Sequence, residues 1–134
     1  MLFEVGILSD QANIKLVNQP VTLEDVEELL QYYQDITSKT GIQLGWEYKE
    51  NAFPYKMEKI DQKYIVLSGC TDGYHKFYIG IENNHNAPSI FIKLSKNSTH
   101  GDKGKAVEFS KFIAKKLSGE LHLFNGRIMY FYKR

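Results

Sequence analysis

The sequence of 134 residues predicts an α+β fold. The expected form is a two-layer sandwich, a mostly antiparallel β-sheet with two amphipathic helices on one face and a C-terminal β-hairpin. Three observations predict it. Two stretches repeat apolar residues at spacings of three and four, as helices do. The stretches between and after them alternate apolar with polar residues, as antiparallel strands buried on one side do. A single core satisfies both helical stripes if they share one face of the sheet. A chain of this size buries roughly two-thirds of its unfolded surface, so one domain over residues 1–134 holds without a disulfide or metal.

The elements follow in order. Residues 2–8 are apolar enough for a strand, and Ser9, Asp10 and Gln11 break it, so residues 1–10 are read as a strand or a loosely ordered extension. Ile14, Lys15 and Leu16 alternate as a short strand that ends at Asn18, Gln19 and Pro20. Thr22 is the expected N-cap of the first helix, with Asp25 placed to reach back to it. Leu23, Val26, Leu29, Leu30, Tyr33 and Ile36 form its stripe, and Glu24, Asp25, Glu27 and Glu28 crowd the end where the helix dipole favours negative charge. Thr40 and Gly41 mark its expected end, after which Leu44, Gly45, Trp46, Glu47 and Tyr48 read as a strand. Asn51, Ala52, Phe53, Pro54 and Tyr55 read as a loop, because proline cannot sit in a central strand.

Three stronger strands follow over residues 64–68, 75–82 and 89–94. They are joined by turn-forming residues at Thr71, Asp72 and Gly73 and again between residues 83 and 88. The second helix is expected from Lys103 or Gly104 to Leu117, with Ala106, Phe109, Ile113 and Leu117 as its stripe. Asn125 and Gly126 are a preferred type I′ pair. That turn sets Leu123 opposite Ile128 and His122 opposite Met129. It places Leu121, Leu123, Ile128 and Tyr130 on the core face, and His122, Phe124, Arg127, Met129 and Phe131 on the other.

The formal charge of +1 hides an asymmetry: residues 1–62 hold 5 Lys/Arg against 11 Asp/Glu, and residues 63–134 hold 12 against 5. Such a split can signal a polyanion surface. Two arginines among 17 basic residues argue against one, because phosphate and base recognition lean on the guanidinium fork. Lateral neutralisation of acidic by basic segments is the preferred explanation. Cys70 alone cannot form an internal bridge, no apolar run approaches the ~18 residues of a membrane helix, and the N-terminus lacks a basic signal region. A cytoplasmic domain without membrane contact is expected.

Chemistry is sparse. Ser98, Thr99, His100, Gly101, Lys103, Gly104 and Lys105 join a strand to a helix start, where free N–H groups and the dipole can hold an anion. The spacing is not that of a P-loop, and Asp102 would repel an anion, so a plain helix cap is the competing explanation. Cys70 and His75 flank a turn with no third group to orient them, which fits a structural cysteine better than a nucleophile. No histidine spacing matches a metal site, and no cofactor is expected. The outer sheet face mixes aromatic with basic side chains: Lys76, Tyr78, Phe91, Lys93, His122, Phe124, Arg127, Met129 and Phe131. Exposed apolar surface marks contacts with protein. Stacking of RNA or single-stranded DNA is the remoter use, because no RNP-like string is present. Cover by the N-terminal segment or by residues 51–56 would leave no site there.

Four strings resemble a known family: Val21-Thr22-Leu23-Glu24-Asp25-Val26, Asn51-Ala52-Phe53-Pro54-Tyr55, Thr99-His100-Gly101-Asp102-Lys103-Gly104-Lys105, and Gly119-Glu120-Leu121-His122-Leu123-Phe124-Asn125-Gly126-Arg127. They are similar to small proteins of Bacillus-type Gram-positive bacteria carried as a domain of unknown function, over most of the chain from about Asn13 onward. The resemblance implies a helix-backed sheet and assigns no reaction, cofactor or catalytic residue. The expected function is a non-enzymatic binding or interaction module that can associate with itself. The alternative from another class is a binder or enzyme for a small anionic ligand at residues 98–105.

Overall fold

The structure, a computed structural model, describes residues 10–16, 20–44, 53–83 and 88–132, with only the backbone described at residues 38–44 and 83. Residues 2–8, Gly45, Trp46, Glu47 and Tyr48 lie outside the described residues. The elements are β1 (Gln11–Lys15), α1 (Leu23–Leu44), β2 (Tyr55–Ile60), β3 (Tyr64–Gly69), β4 (Lys76–Asn83), β5 (Pro88–Leu94), α2 (His100–Lys116), β6 (Glu120–His122) and β7 (Ile128–Tyr130). All strand pairs are antiparallel, in the order β2-β3-β4-β5-β1-β6-β7.

Helix α1 starts where the sequence places it. Thr22 Oγ1 accepts from Asp25 N–H at 3.2 Å, and Asp25 Oδ2 accepts from Thr22 N–H at 2.9 Å, so two end donors are satisfied reciprocally. Leu23, Val26, Leu30 and Tyr33 are buried. The helix runs past the expected stop to Leu44 and carries Gly41 inside it. One glycine costs a helix only about 1 kcal/mol.

The registers sort the side chains between two faces. Ile14 opposes both Ile90 and Leu121, Ile79 opposes Ile65 and Ile92, and Phe77 opposes Leu67 and Leu94, all of them buried under the helices. Tyr33 of α1 packs edge-on against Phe109 and Phe112 of α2, each at 5.0 Å between ring centroids. Both helices therefore share one core on one side of the sheet, as their stripes require. Lys59, on the same side, reaches Glu24 at 3.8 Å and Glu27 at 3.6 Å.

The loop expected over residues 51–55 ends at Tyr55 in strand β2, and no element is expected from sequence over residues 57–60. Pro54 is disallowed only within a ladder, and β2 begins one residue later at the sheet edge, where no neighbour needs a proline N–H. Phe53 and Tyr55 turn into the helix side, Phe53 stacking on Phe109 at 5.3 Å, so residues 53–55 do not cover the opposite face. A three-residue turn, Asp61 to Lys63, joins β2 to β3, with Asp61 and Gln62 at φ 52° and 59°. Left-handed backbone costs a residue with a side chain roughly 1–2 kcal/mol. Gln62→Gly should therefore stabilise the protein by about 1 kcal/mol, read as a higher midpoint in urea unfolding.

The closing hairpin corrects the expected register by one residue. Glu120 opposes Tyr130, Leu121 opposes Met129 and His122 opposes Ile128. Gly126 N–H donates to Leu123 O at 3.0 Å, Leu123 N–H donates to Arg127 O at 2.8 Å, and Gly126 has φ 85°. These mark a three-residue loop ending in a left-handed glycine rather than a type I′ pair. A one-residue slip exchanges the faces. Phe124 is buried, Met129 and Phe131 pack against the core, and Ile128 and Tyr130 stand outside at 43% and 42% exposure.

Candidate functional site

The loop expected to receive an anion holds a buried carboxylate of its own, Asp102. Helix α2 begins at His100, with Thr99 as N-cap in extended backbone. Thr99 Oγ1 accepts from Asp102 N–H and Asp102 Oδ2 accepts from Thr99 N–H, both at 3.0 Å. Asp102 is fully buried and takes two further donors: Tyr55 O–H at 2.6 Å, and His75 N–H at 3.0 Å to each carboxylate oxygen. One carboxylate thus fastens the start of α2 to β2 and to the β3–β4 turn. The helix dipole favours its negative charge in this first turn.

The remaining candidates around it are engaged in the same assembly. Thr99 O–H donates to Gly73 O at 2.5 Å, the Ser98 and Ser95 hydroxyls lie 3.4 Å apart, and Lys105 Nζ reaches Glu108 at 3.1 Å. Glu108 also accepts from Tyr33 O–H. Gly101 lies inside the first turn of α2, so close to the β3–β4 turn that a Cβ there would sit 2.6 Å from Gly73 O. Gly104 has open space around it. His100 is exposed, and Lys103 lies half-buried in the same first turns.

Burial and the neighbouring carboxylate both resist ionisation of Tyr55. Desolvation first, then the hydrogen bond and charge of Asp102, push its phenol far above the usual tyrosine value of 10.0. The sign follows by linkage. Above pH about 10 the unfolded phenol loses a proton that the folded one keeps, so stability present at neutral pH falls by about 1.4 kcal/mol per pH unit. Urea unfolding between pH 9 and 11 should show this loss, and Tyr55→Phe should remove that part of the slope.

The other side of the sheet is the second candidate. The registers place Lys56, Glu58 and Ile60 of β2, Tyr64 and Val66 of β3, Lys76, Tyr78 and Glu82 of β4, and Phe91 and Lys93 of β5 on this face. Asn13, Lys15, Glu120, His122, Ile128 and Tyr130 complete it. Among the described residues no helix packs on it. Its centre is aromatic. Tyr64 and Tyr78 meet edge-on at 5.8 Å, and Phe91 lies across Gly80, where a Cβ would come within 2.4 Å of the ring. A shallow groove of about 520 Å³ leads from Tyr64 and Phe91 toward Val21 and Leu23 at the start of α1.

Of the surface residues expected from sequence, Lys76, Tyr78, Phe91, Lys93 and His122 stand on this face, and Arg127 is exposed at the hairpin turn. Met129 and Phe131 do not, for the reason of register given above, and Phe124 is buried as the first residue of the hairpin loop. Sequence reasoning missed Tyr64, Val66, Ile128, Tyr130 and the three glutamates. Strand alternation could have found the β3 and β4 residues, whereas Glu58 and Glu120 needed the strand order. The face is consequently near charge balance, with Lys15, Lys56, Lys76 and Lys93 set among Glu58, Glu82 and Glu120.

Glu120 Oε2 lies 2.5 Å from His122 Nε2, and Tyr132 O–H donates to Glu120 Oε1 at 3.3 Å. The His122 contact chiefly holds the Glu120 carboxyl below its usual range. Cys70 is exposed rather than buried, with Sγ 3.8 Å from Ser68 O. Among the described residues no three of His, Cys, Asp and Glu gather to hold a metal, and no helix is long and apolar enough to cross a membrane.

Comparisons with known proteins agree with the architecture. A family described as a domain of unknown function (DUF1885) matches residues 10–133. A crystal structure of a protein of unknown function from Bacillus stearothermophilus is 45% identical, with a TM-score of 0.63 over 86% of this chain and 92% of that one. No curated protein matches the chain.

Proposed function

Because the chain belongs to the family described as a domain of unknown function (DUF1885), whose description carries no reaction, we propose its function from the surface itself. It is a non-catalytic interaction module that associates with protein, a second copy of itself included, through the open sheet face. The observation that supports this is composition in place. Tyr64, Val66, Tyr78, Phe91, Ile128 and Tyr130 share one face whose charges nearly cancel.

Apolar surface of this kind marks protein contacts. Charge balance tells against RNA or single-stranded DNA, because phosphate binding scales with the cations it recruits. No gel shift is expected at low salt. Small anions are disfavoured at the α2 start because the Asp102 carboxylate puts a negative charge there. Phosphate and phosphorylated metabolites should leave the melting temperature unchanged.

Light scattering over a dilution series in 0.5 M salt tests self-association through this face. Mass should rise toward high micromolar concentration, and Val66→Glu with Tyr78→Glu should abolish the rise. A wild-type protein that stays monomeric throughout removes self-association. A rise that both glutamates leave intact places the contact elsewhere.

A further inference from the structure

The helix layer, on the opposite side from the open face, is divided by charge along its seam. Over residues 23–37, α1 carries Glu24, Asp25, Glu27, Glu28 and Asp35 and no basic residue. Helix α2 carries Lys103, Lys105, Lys111, Lys115 and Lys116 against Glu108 and the buried Asp102. Contacts fix how the two lie. Tyr33 meets Phe109 and Phe112, Lys116 Nζ lies 5.1 Å from the centre of the Tyr32 ring, and Asp25, Glu28 and Leu29 line a groove with Leu117. Moving toward the N-terminus of α1 moves toward the C-terminus of α2. The helices are antiparallel, and the acidic first turns of α1 lie beside the lysine-rich last turns of α2.

Glu24, Asp25, Glu28 and Asp35 are exposed, as are Lys111, Lys115 and Lys116. Among the described residues no ion pair joins the carboxylates of α1 to Lys111, Lys115 or Lys116 of α2. On the seam stands Tyr32, 47% exposed, with Phe112 half-buried beside it at 6.3 Å.

The geometry points to a second copy of this chain docked on the helix layer about a two-fold axis running along the α1–α2 seam. That axis carries α1 of each copy over α2 of the other, so acid meets base twice, as an isologous contact requires. The two Tyr32 rings meet near the axis, where a central aromatic contributes most. An axis across the helices would stack acid on acid, so charge selects one orientation. A polyanion or polycation would be repelled by half of the surface. The inference is independent of the open-face proposal, since both open faces point away from this contact.

A competing explanation is that each charge set serves only its own helix dipole, which needs no partner. Sedimentation equilibrium of the full chain at low micromolar concentration, below the range in which the sheet face pairs, separates the two. A dimer is expected at 50 mM salt, weakened about tenfold or more at 500 mM. Glu28→Lys with Asp35→Lys should yield a monomer, as should Lys111→Glu with Lys115→Glu, and mixing the two variants in equal amounts should restore a dimer. A wild-type monomer at 50 mM salt overturns the inference, and so does a dimer indifferent to salt or a mixture that stays monomeric. A dimer lost only through Val66→Glu and Tyr78→Glu assigns association to the sheet face and overturns it equally.

Discussion

Asp102→Ala should cost about 4 kcal/mol of folding stability, or roughly 15 °C in Tm, the largest effect of any single substitution considered. The carboxylate is fully buried, and its removal strands three donors at once: Tyr55 O–H, Thr99 N–H and His75 N–H. Each buried group left unpaired costs roughly 1–3 kcal/mol. Loss of the capping box adds to this by freeing the first turn of α2. Asp102→Asn should fall between wild type and alanine, because its amide keeps one acceptor and sets an N–H₂ against donors. Urea unfolding followed by circular dichroism measures all three. An alanine variant within 1 kcal/mol of wild type would show that the start of α2 is held by something other than this carboxylate.

Gly101→Ala and Gly104→Ala should act with opposite signs although they lie three residues apart in one helix. Alanine is intrinsically better than glycine in a helix by about 1 kcal/mol. Gly104 has nothing within 4 Å of a new Cβ, so Gly104→Ala should gain most of that amount. At Gly101 the same atom would lie 2.6 Å from Gly73 O and 2.8 Å from the Tyr74 ring. Backbone must then move, and the Thr99–Gly73 and Asp102–His75 hydrogen bonds lie directly beside it. Gly101→Ala should therefore lose about 2–3 kcal/mol, the cost of overpacking a tight contact. Paired urea titrations read both signs in one experiment.

These glycines also show what was legible in the sequence and what was not. Helix α1 declared its start through Thr22 and Asp25 in front of a clean apolar stripe. Helix α2 carries the same box at Thr99 and Asp102, but Gly101 and Gly104 within it look like loop. Only the approach of Gly73 explains why a helix tolerates Gly101. Strands β3, β4 and β5 alternate visibly, while Pro54 stands just before β2, whose alternation holds from Tyr55 to Glu58 and is reversed by Lys59 and Ile60.

Asn125 and Gly126 suit two turn geometries whose registers differ by one residue. Local sequence does not choose between them; burial of Met129 and Phe124 does. The Asp102 cluster was out of reach for a different reason. Its partners Tyr55 and His75 lie 47 and 27 residues away, and no spacing rule joins them. The open face was legible as alternation, but its charge balance depends on which strands lie side by side.

Side-chain accessibility to a neutral paramagnetic relaxation agent, in protein labelled at Val and Ile methyls and Tyr rings, tests most directly that this face is open in the single chain and closed by protein contact. Val66, Tyr78 and Ile128 should broaden at low micromolar concentration and be shielded at high micromolar concentration, while Ile65, Ile79 and Ile92 stay shielded at both. Shielding of Val66 and Tyr78 at every dilution would contradict the account, since the face would then be covered within one chain.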